Sequence, residues 1–246
     1  WTFIDCPGSI ELAQDALNVI AIADIAVLVV EPGAEKAIAA TRAMKELDRA
    51  GLPYILFINK MDGIEARVKA TLEALQGLTE RPLVLREIPI REGDDVTGHV
   101  DLVSERAYKW SGSGKSDLIE VPGELSGRTG EERTLLLETL ADFNDELLEQ
   151  LLEDVMPGTE DVYQNLGKDL QDGAIVPVFF GSAENESGIM RLMKALRHEA
   201  PEVAQTADRQ GIEPEGDVLA QAFKIYNGAT SGKLTFVRFW RGEFTD

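Results

Sequence analysis

Hydrophobic residues along the chain fall into two rhythms. Ile25–Glu31 (IAVLVVE), Tyr54–Asn59 (YILFIN) and Ala174–Phe180 (AIVPVFF) are short, unbroken apolar runs rich in β-branched and aromatic residues. That is the pattern of strands buried on both faces. Trp1–Asp5 reads as one more short strand. Between these runs, Glu11–Ala23, Ala34–Ala50, a stretch from about Ile64 to Gln76, and Ser187–Glu199 set apolar side chains at helical spacing, with Gly51 and Pro53 stopping the second. Strands alternating with helices of this length predict an α/β fold with a mostly parallel sheet and crossover helices.

From Arg81 the rhythm shortens. Leu83–Ile90, Val96–Val103 and Ala107–Trp110 alternate more polar residues and are separated by turns containing Gly and Asp, which predicts an antiparallel insert. A long acidic helix follows, from about Glu131 to Val155, with Thr129 and Glu132 spaced as a capping box and Leu136, Leu140, Phe143, Leu147 and Leu151 as its apolar stripe. Pro157 and Gly158 end it, and a second helix is expected over Glu160–Leu170. Residues from Pro201 to Gly216 lack periodicity and read as a linker. Val218–Tyr226 and Lys233–Trp240 then alternate as a hairpin that opens a separate β domain.

Composition narrows the function classes. The 246 residues carry 24 Lys and Arg against 44 Asp and Glu, a net charge of −20, with 44% hydrophobic residues. Such a chain can bury a sizeable core, and its charge opposes a chain-wide nucleic-acid coat or independent DNA binding, which need clustered cations. No apolar run approaches the roughly 18 residues of a membrane span. The lone cysteine, Cys6, forms no internal disulfide and points to a reducing, cytoplasmic setting. The absence of an initiator Met and a start inside a strand lead us to expect a fragment of a longer protein.

Three motifs lie at the carboxyl ends of predicted strands, where ligands of open α/β sheets sit. Asn59-Lys60-Met61-Asp62 follows the second buried run. A carboxylate there accepts from the N1–H and 2-amino group of guanine, a pair of donors that adenine lacks. The Asn amide addresses O6 and N7, and the Lys stem lies over the base. Asp5-Cys6-Pro7-Gly8 follows the first strand. Asp5 suits the water shell of Mg²⁺, and a glycine N–H approaches a terminal phosphate without a Cβ in the way. Gly181-Ser182-Ala183 follows the strand that resumes the sheet, and its amides suit guanine O6. Asp5 and Asn59 are 54 positions apart.

This order and spacing resemble those of translational GTPases, and among them the elongation factor G family. The segment IPI…VTGHVDLVSERAYKW resembles that family's insertion, and AFKIYNGATSGKLTFVRFWRG resembles the opening strands of its second, β-barrel domain. The resemblance implies a GTP-binding domain over residues 1–80 and 174–200, an insertion over 81–173, a linker over 201–216 and the start of a barrel over 217–246. It implies a protein that binds GTP with Mg²⁺ and acts on the ribosome in the cytoplasm. Asn59, Lys60, Asp62, Ser182 and Ala183 would then recognise guanine, and Asp5 and Gly8 would sense the γ-phosphate and the metal.

Two departures qualify the expected activity. The phosphate-binding loop GxxxxGK[ST] and the first switch are not present. Ser111-Gly112-Ser113-Gly114-Lys115-Ser116 fails that pattern, because its earlier glycine falls at Lys109 and no parallel strand feeds it. The chain alone is therefore expected to bind GTP weakly. The family's DxPGH motif also ends here in Ser9, whose hydroxyl cannot replace an imidazole that orients the attacking water. A GTPase with impaired turnover and a pseudo-GTPase scaffold on the ribosome or another partner both remain open. An unrelated α/β nucleotide enzyme is disfavoured by the insert and the β-domain start. Neither His99 nor His198 has a second His or Cys nearby to make a metal site, and Cys6 reads as packing rather than as a nucleophile.

The negative charge is local. Between Glu124 and Asp172 there are 14 acidic residues against Arg128, Arg133 and Lys168, more than half of the net excess. These insertion helices either present a solvated face or meet a basic protein surface, and in the resembled family the insertion approaches the ribosomal stalk.

Overall fold

The computed structural model describes residues 1–62, 68–112, 114–228 and 232–243. The chain divides into two compact units, one of Trp1–Ala26 with Pro201–Asp246 and the other of Val27–Ala200.

In the first unit, Ala13–Ile20 forms helix α1 behind a single tight turn, Ile10–Leu12. The strand expected over Trp1–Asp5 does not form. A strand needs a neighbour to receive its backbone hydrogen bonds, and none pairs with this segment among the described residues. Trp1 and Phe3 are left exposed.

The larger unit holds a four-stranded sheet. Strand β1 (Ala26–Val30) leads to helix α2 (Ala34–Arg49), β2 (Tyr54–Ile58) and α3 (Val68–Gln76); the predicted start of α3, Ile64, lies outside the described residues. On α2, Ala37, Ala40, Met44 and Leu47 recur at helical spacing and are buried. Strand β3 (Leu83–Leu85) comes next, and the sheet is completed by β8 (Val176–Phe180) in the order β1–β2–β8–β3. Both β2 and β3 run parallel to β8. The centre is as the unbroken apolar runs predict: every residue of β2 and β8 is buried. Strand β1 departs from prediction, with Val29 56% exposed, because it lies at the sheet edge.

The run read as one strand, Leu83–Ile90, is two. Leu83–Leu85 belongs to the parallel sheet, and after Arg86 the chain enters an antiparallel sheet of β4 (Glu87–Glu92), β5 (Asp95–Asp101), β6 (Arg106–Trp110) and β7 (Ser116–Ile119), in that order. Strand β7 escaped the sequence reading because Ser116–Ile119 carries only two apolar residues and lies mostly exposed.

The expected long helix is also two, α4 (Ser126–Ala141) and α5 (Asp145–Leu152). Asn144 breaks it: this residue is extended, and its Oδ1 accepts the Leu147 N–H at 3.1 Å as an N-cap. The predicted capping box is absent, since α4 begins at Ser126 and the Thr129 hydroxyl bonds back to the Leu125 carbonyl at 2.8 Å. Helix α6 (Thr159–Gln171) and, after β8, helix α7 (Ile189–Glu199) follow. Leu136, Leu137 and Leu140 of α4, Leu147 of α5 and Val162 and Leu166 of α6 pack with Ile88, Val100 and Ala107 of the antiparallel sheet. Each large side chain so buried stabilises the unit by roughly 1.5–3 kcal/mol. Phe143, expected in the stripe, is instead 40% exposed at the break.

Buried charges tie the insertion to α7. The Arg86 guanidinium donates to both carboxylate oxygens of Glu199, at 2.6 and 3.1 Å. Arg191 pairs with Asp101 at 2.6 Å. Burial opposes the Asp101 charge, but Arg191 and Arg86 outweigh it and hold the carboxyl below its ordinary range. Removing one partner from such a pair strands a buried charge, a loss of about 3–5 kcal/mol.

The first unit resumes at Pro201. The region read as a linker contains helix α8 (Val203–Arg209), started by Glu202, whose N–H donates to Gln205 Oε1 at 2.7 Å. A hairpin of β9 (Leu219–Gly228) and β10 (Gly232–Arg241) pairs antiparallel. Arg238 of β10 pairs with Asp24 at 2.7 Å and donates to the Ile22 carbonyl, while Arg209 donates to the Ala23 carbonyl at 3.1 Å. These arginines satisfy carbonyls just beyond the end of α1, where a helix leaves such groups open. No helix among the described residues is long and apolar enough to cross a membrane.

Candidate functional site

Two loops meet at the carboxyl ends of the central strands. Asn59 leaves β2 with its N–H donated to the Val30 carbonyl at 2.8 Å, and Met61 donates its N–H to the Gly181 carbonyl at 2.9 Å. The Met61 side chain is fully buried and anchors the turn. Between them Lys60 takes a φ of 59°, which a lysine adopts only under constraint. Its Nζ pairs with Glu31, a residue the sequence reading did not single out. Hydrogen bonding and charge from Glu31 raise the Lys60 pKa, and the same lysine lowers that of Glu31. The cation is thereby held at Glu31, just past the end of β1.

The Gly181–Ser187 loop is braced from both ends. Ser182 and Ser187 exchange two backbone hydrogen bonds, of 3.0 and 2.9 Å. Glycine is required at its base, since a Cβ on Gly181 would collide with the Ser187 carbonyl oxygen. The Ala183 N–H donates to Asn59 Oδ1 at 2.8 Å, which joins the two motifs directly. The Asn59 amide nitrogen has no protein partner among the described residues and remains available to an acceptor. Asn185 Nδ2 donates to Asp62 Oδ2 at 3.0 Å and approaches Ser182 Oγ at 3.3 Å. Asn185 also escaped the sequence reading, although its position two residues beyond Ala183 was a usable signal. Asp62 is exposed, with Oδ1 uncommitted among the described residues.

The structure thus gathers Asn59, Lys60, Asp62, Ser182 and Ala183 at one place, although the two motifs lie about 120 positions apart in the chain. An open amide N–H₂ beside an exposed carboxylate offers donors to one edge of a base and acceptors to another. That donor and acceptor set fits guanine. The Ala183 N–H, expected to reach O6, is here donated to Asn59 Oδ1 and fixes that side chain's orientation.

Asp5, Gly8 and Ser9 belong to the other unit. All three are exposed; Asp5 makes no hydrogen bond or ion pair among the described residues, and the space around the Gly8 Cα is open. A carboxylate free of protein partners fits an acceptor for metal-bound water. Ser9 is extended and precedes the Ile10–Leu12 turn without capping it through its side chain. Burial pushes the Cys6 thiol up, helped by Asp5 and Asp15, which disfavours a nucleophilic thiolate. Among the described residues no cluster of His, Cys, Asp and Glu could hold a metal ion by itself.

The profile of the elongation factor Tu GTP binding domain family matches residues 1–202. The chain belongs to that family. It is 37% identical over 246 residues to the elongation factor G-like protein of Synechocystis sp., covering 99% of this chain and 37% of that protein. It is 31% identical over 253 residues to elongation factor G 1 of Borreliella burgdorferi, covering 97% of this chain and 36% of that protein. A crystal structure of a Thermus thermophilus protein superposes with a TM-score of 0.82 at 27% identity, over 97% of this chain and 35% of that one. The chain therefore spans a little over a third of the length of these relatives. Within the family it groups with the translational GTPases of the elongation factor G type, and the α/β fold with an antiparallel segment after it agrees. The family is one of GTP-binding translation factors.

Proposed function

We propose that this chain supplies guanine recognition to a GTP-binding factor that acts on the ribosome in the cytoplasm. The observation that carries the reading is the hydrogen bond from the Ala183 N–H to Asn59 Oδ1, because it joins two motifs that lie far apart in the chain. In this reading Asp62 accepts from the N1–H and 2-amino group, the Asn59 amide donates to O6 or N7, and the Lys60 stem covers the ring. Asp5 holds the water shell of Mg²⁺ and the Gly8 N–H meets the γ-phosphate. When bound, the metal neutralises developing phosphate charge. Phosphate-state contacts at Asp5–Ser9 would bias the segment that leads into α1, the usual logic of a nucleotide switch.

Ser9 sets the expected turnover. Its hydroxyl is short and uncharged, so water orientation falls on other groups and hydrolysis is slow. Restoring the imidazole with Ser9→His in the full-length protein should raise ribosome-stimulated GTP turnover by about 10-fold or more. Unchanged turnover would refute this role for the position. Ser9 also favours a second reading, a scaffold that binds the ribosome without turnover. Detectable ribosome-stimulated phosphate release from the wild-type protein separates the two.

The insertion helices extend the reading to a partner. Asp142, Glu146, Glu149 and Glu153 are exposed and make no ion pair among the described residues. In this proposal they meet a basic protein surface, such as that of the ribosomal stalk, and speed encounter through long-range attraction.

A further inference from the structure

A buried carboxylate of the insertion sheet bonds to the residue just before the Gly181–Ser187 loop. Strand β3 pairs with β8 only through Leu83–Leu85, opposite Val176–Val178. After Arg86 the chain turns away to pair Glu87 with Asp101 in the antiparallel sheet. On that side Phe180, the last residue of β8, would be left with a buried N–H and no strand carbonyl to receive it, an arrangement that is costly in general. Glu87 fills the gap: its side chain is fully buried, and Oε1 accepts the Phe180 N–H at 3.0 Å.

Other insertion residues stand behind this carboxylate. Trp110 Nε1 donates to His99 Nδ1 at 3.1 Å, so the ring presents Nε2 toward Glu87, 3.6 Å from Oε2. His99 stacks on Tyr108, and the Trp110 ring meets the Phe180 ring edge-on. Immediately past Phe180, the Gly181 carbonyl accepts from the Met61 N–H, and the Ala183 N–H is fixed by Asn59. A buried side-chain acceptor is thus set one residue before the loop that the two motifs share.

We infer that Glu87 is a positioning residue for guanine recognition, through which the insertion sheet fixes the height of the Gly181–Asn185 loop against Asn59 and Asp62. The inference rests on the guanine reading proposed above and adds to it a dependence of base affinity on the insertion.

The test compares wild type, Glu87→Gln and Glu87→Ala in the full-length protein, with GDP and ADP as probes and amide hydrogen exchange as a second readout. Glu87→Ala should weaken GDP about 10-fold while leaving ADP unchanged, and Glu87→Gln, which keeps an acceptor oxygen, should recover GDP affinity to within about 3-fold of wild type. A general loss of structure would not change the GDP to ADP ratio selectively. A folded Glu87→Ala protein that binds GDP within about 2-fold of wild type overturns the inference. If Glu87→Ala does not fold, Glu87→Met, which keeps the side-chain length without a strong acceptor, decides: the Phe180 and Ala183 amides should exchange at least about 3-fold faster than wild type, and unchanged exchange at Ala183 overturns it. Wild-type protein that binds GDP and ADP equally refutes the guanine reading instead, and the exchange measurement, which uses no nucleotide, still decides the role of Glu87.

Discussion

The base-reading loops and the Trp1–Ser9 segment carry the two halves of one proposed task and are built in opposite ways. Around Asn59–Asp62 and Gly181–Ser187, backbone and side-chain hydrogen bonds cross between strands that are buried at the sheet centre. Trp1–Ser9 has no such ladder among the described residues, and its polar groups face solvent. The contrast matches the roles proposed for the two regions. Discriminating one base from another requires donors and acceptors held in place before the ligand arrives, since a fixed group loses less entropy on binding. Sensing whether a phosphate is present would, in the proposed reading, fall to a segment with few buried contacts.

That difference can be attacked from either side. The largest effect is expected at Asp62, where Asp62→Ala in the full-length protein removes both acceptors for the guanine edge and should weaken GDP by about 100-fold, with ADP affinity little changed. A small, equal loss for both nucleotides would mean that the braced loops do not read the base.

Asp169 is the weak point in the same unit. Its carboxyl on α6 is nearly inaccessible and Oδ2 lacks a hydrogen-bond partner. Burial pushes its pKa up to about 6, with Asp172 adding to the rise and Lys168 opposing it. A raised folded-state value means that the group stabilises fully below its unfolded value near 4 and that this contribution is lost as pH rises through about 6. Asp169→Asn should therefore be more stable than wild type by about 1–2 kcal/mol at neutral pH and indistinguishable near pH 4, as read from denaturant midpoints. A pH-independent difference would place the effect in packing instead.

A smaller change is expected from the acidic face. Reversing Asp142, Glu146, Glu149 and Glu153 to lysine should slow ribosome association several-fold at low salt, and the difference should fade as salt rises. An unchanged on-rate would leave these residues as a solvated surface only.

Much of the architecture was legible in the sequence. Unbroken apolar runs located β2 and β8, and the turn chemistry after each located Asn59–Asp62 and Gly181–Ala183, because burial on both faces and a strand-end turn are local signals. What escaped was set by distant partners. Trp1–Asp5 has strand composition but no neighbour among the described residues; Asn144 interrupts a pattern whose apolar period continues across it; Ser116–Ile119 becomes a strand through pairing with β6. The Glu87 to Phe180 bond joins residues 93 positions apart, and no periodicity announces it. Within the candidate site, the sequence singled out Asn59, Lys60, Asp62, Ser182 and Ala183 but not Asn185, which donates to Asp62, or Glu31, which pairs with Lys60.

Amide hydrogen exchange of the ligand-free chain tests the central contrast most directly. The account predicts that the Met61, Ser182 and Ala183 amides are protected by about 1,000-fold or more, while those of Thr2–Ser9 exchange within about 10-fold of the rate for an unstructured peptide. Equal exchange in the two segments would contradict it.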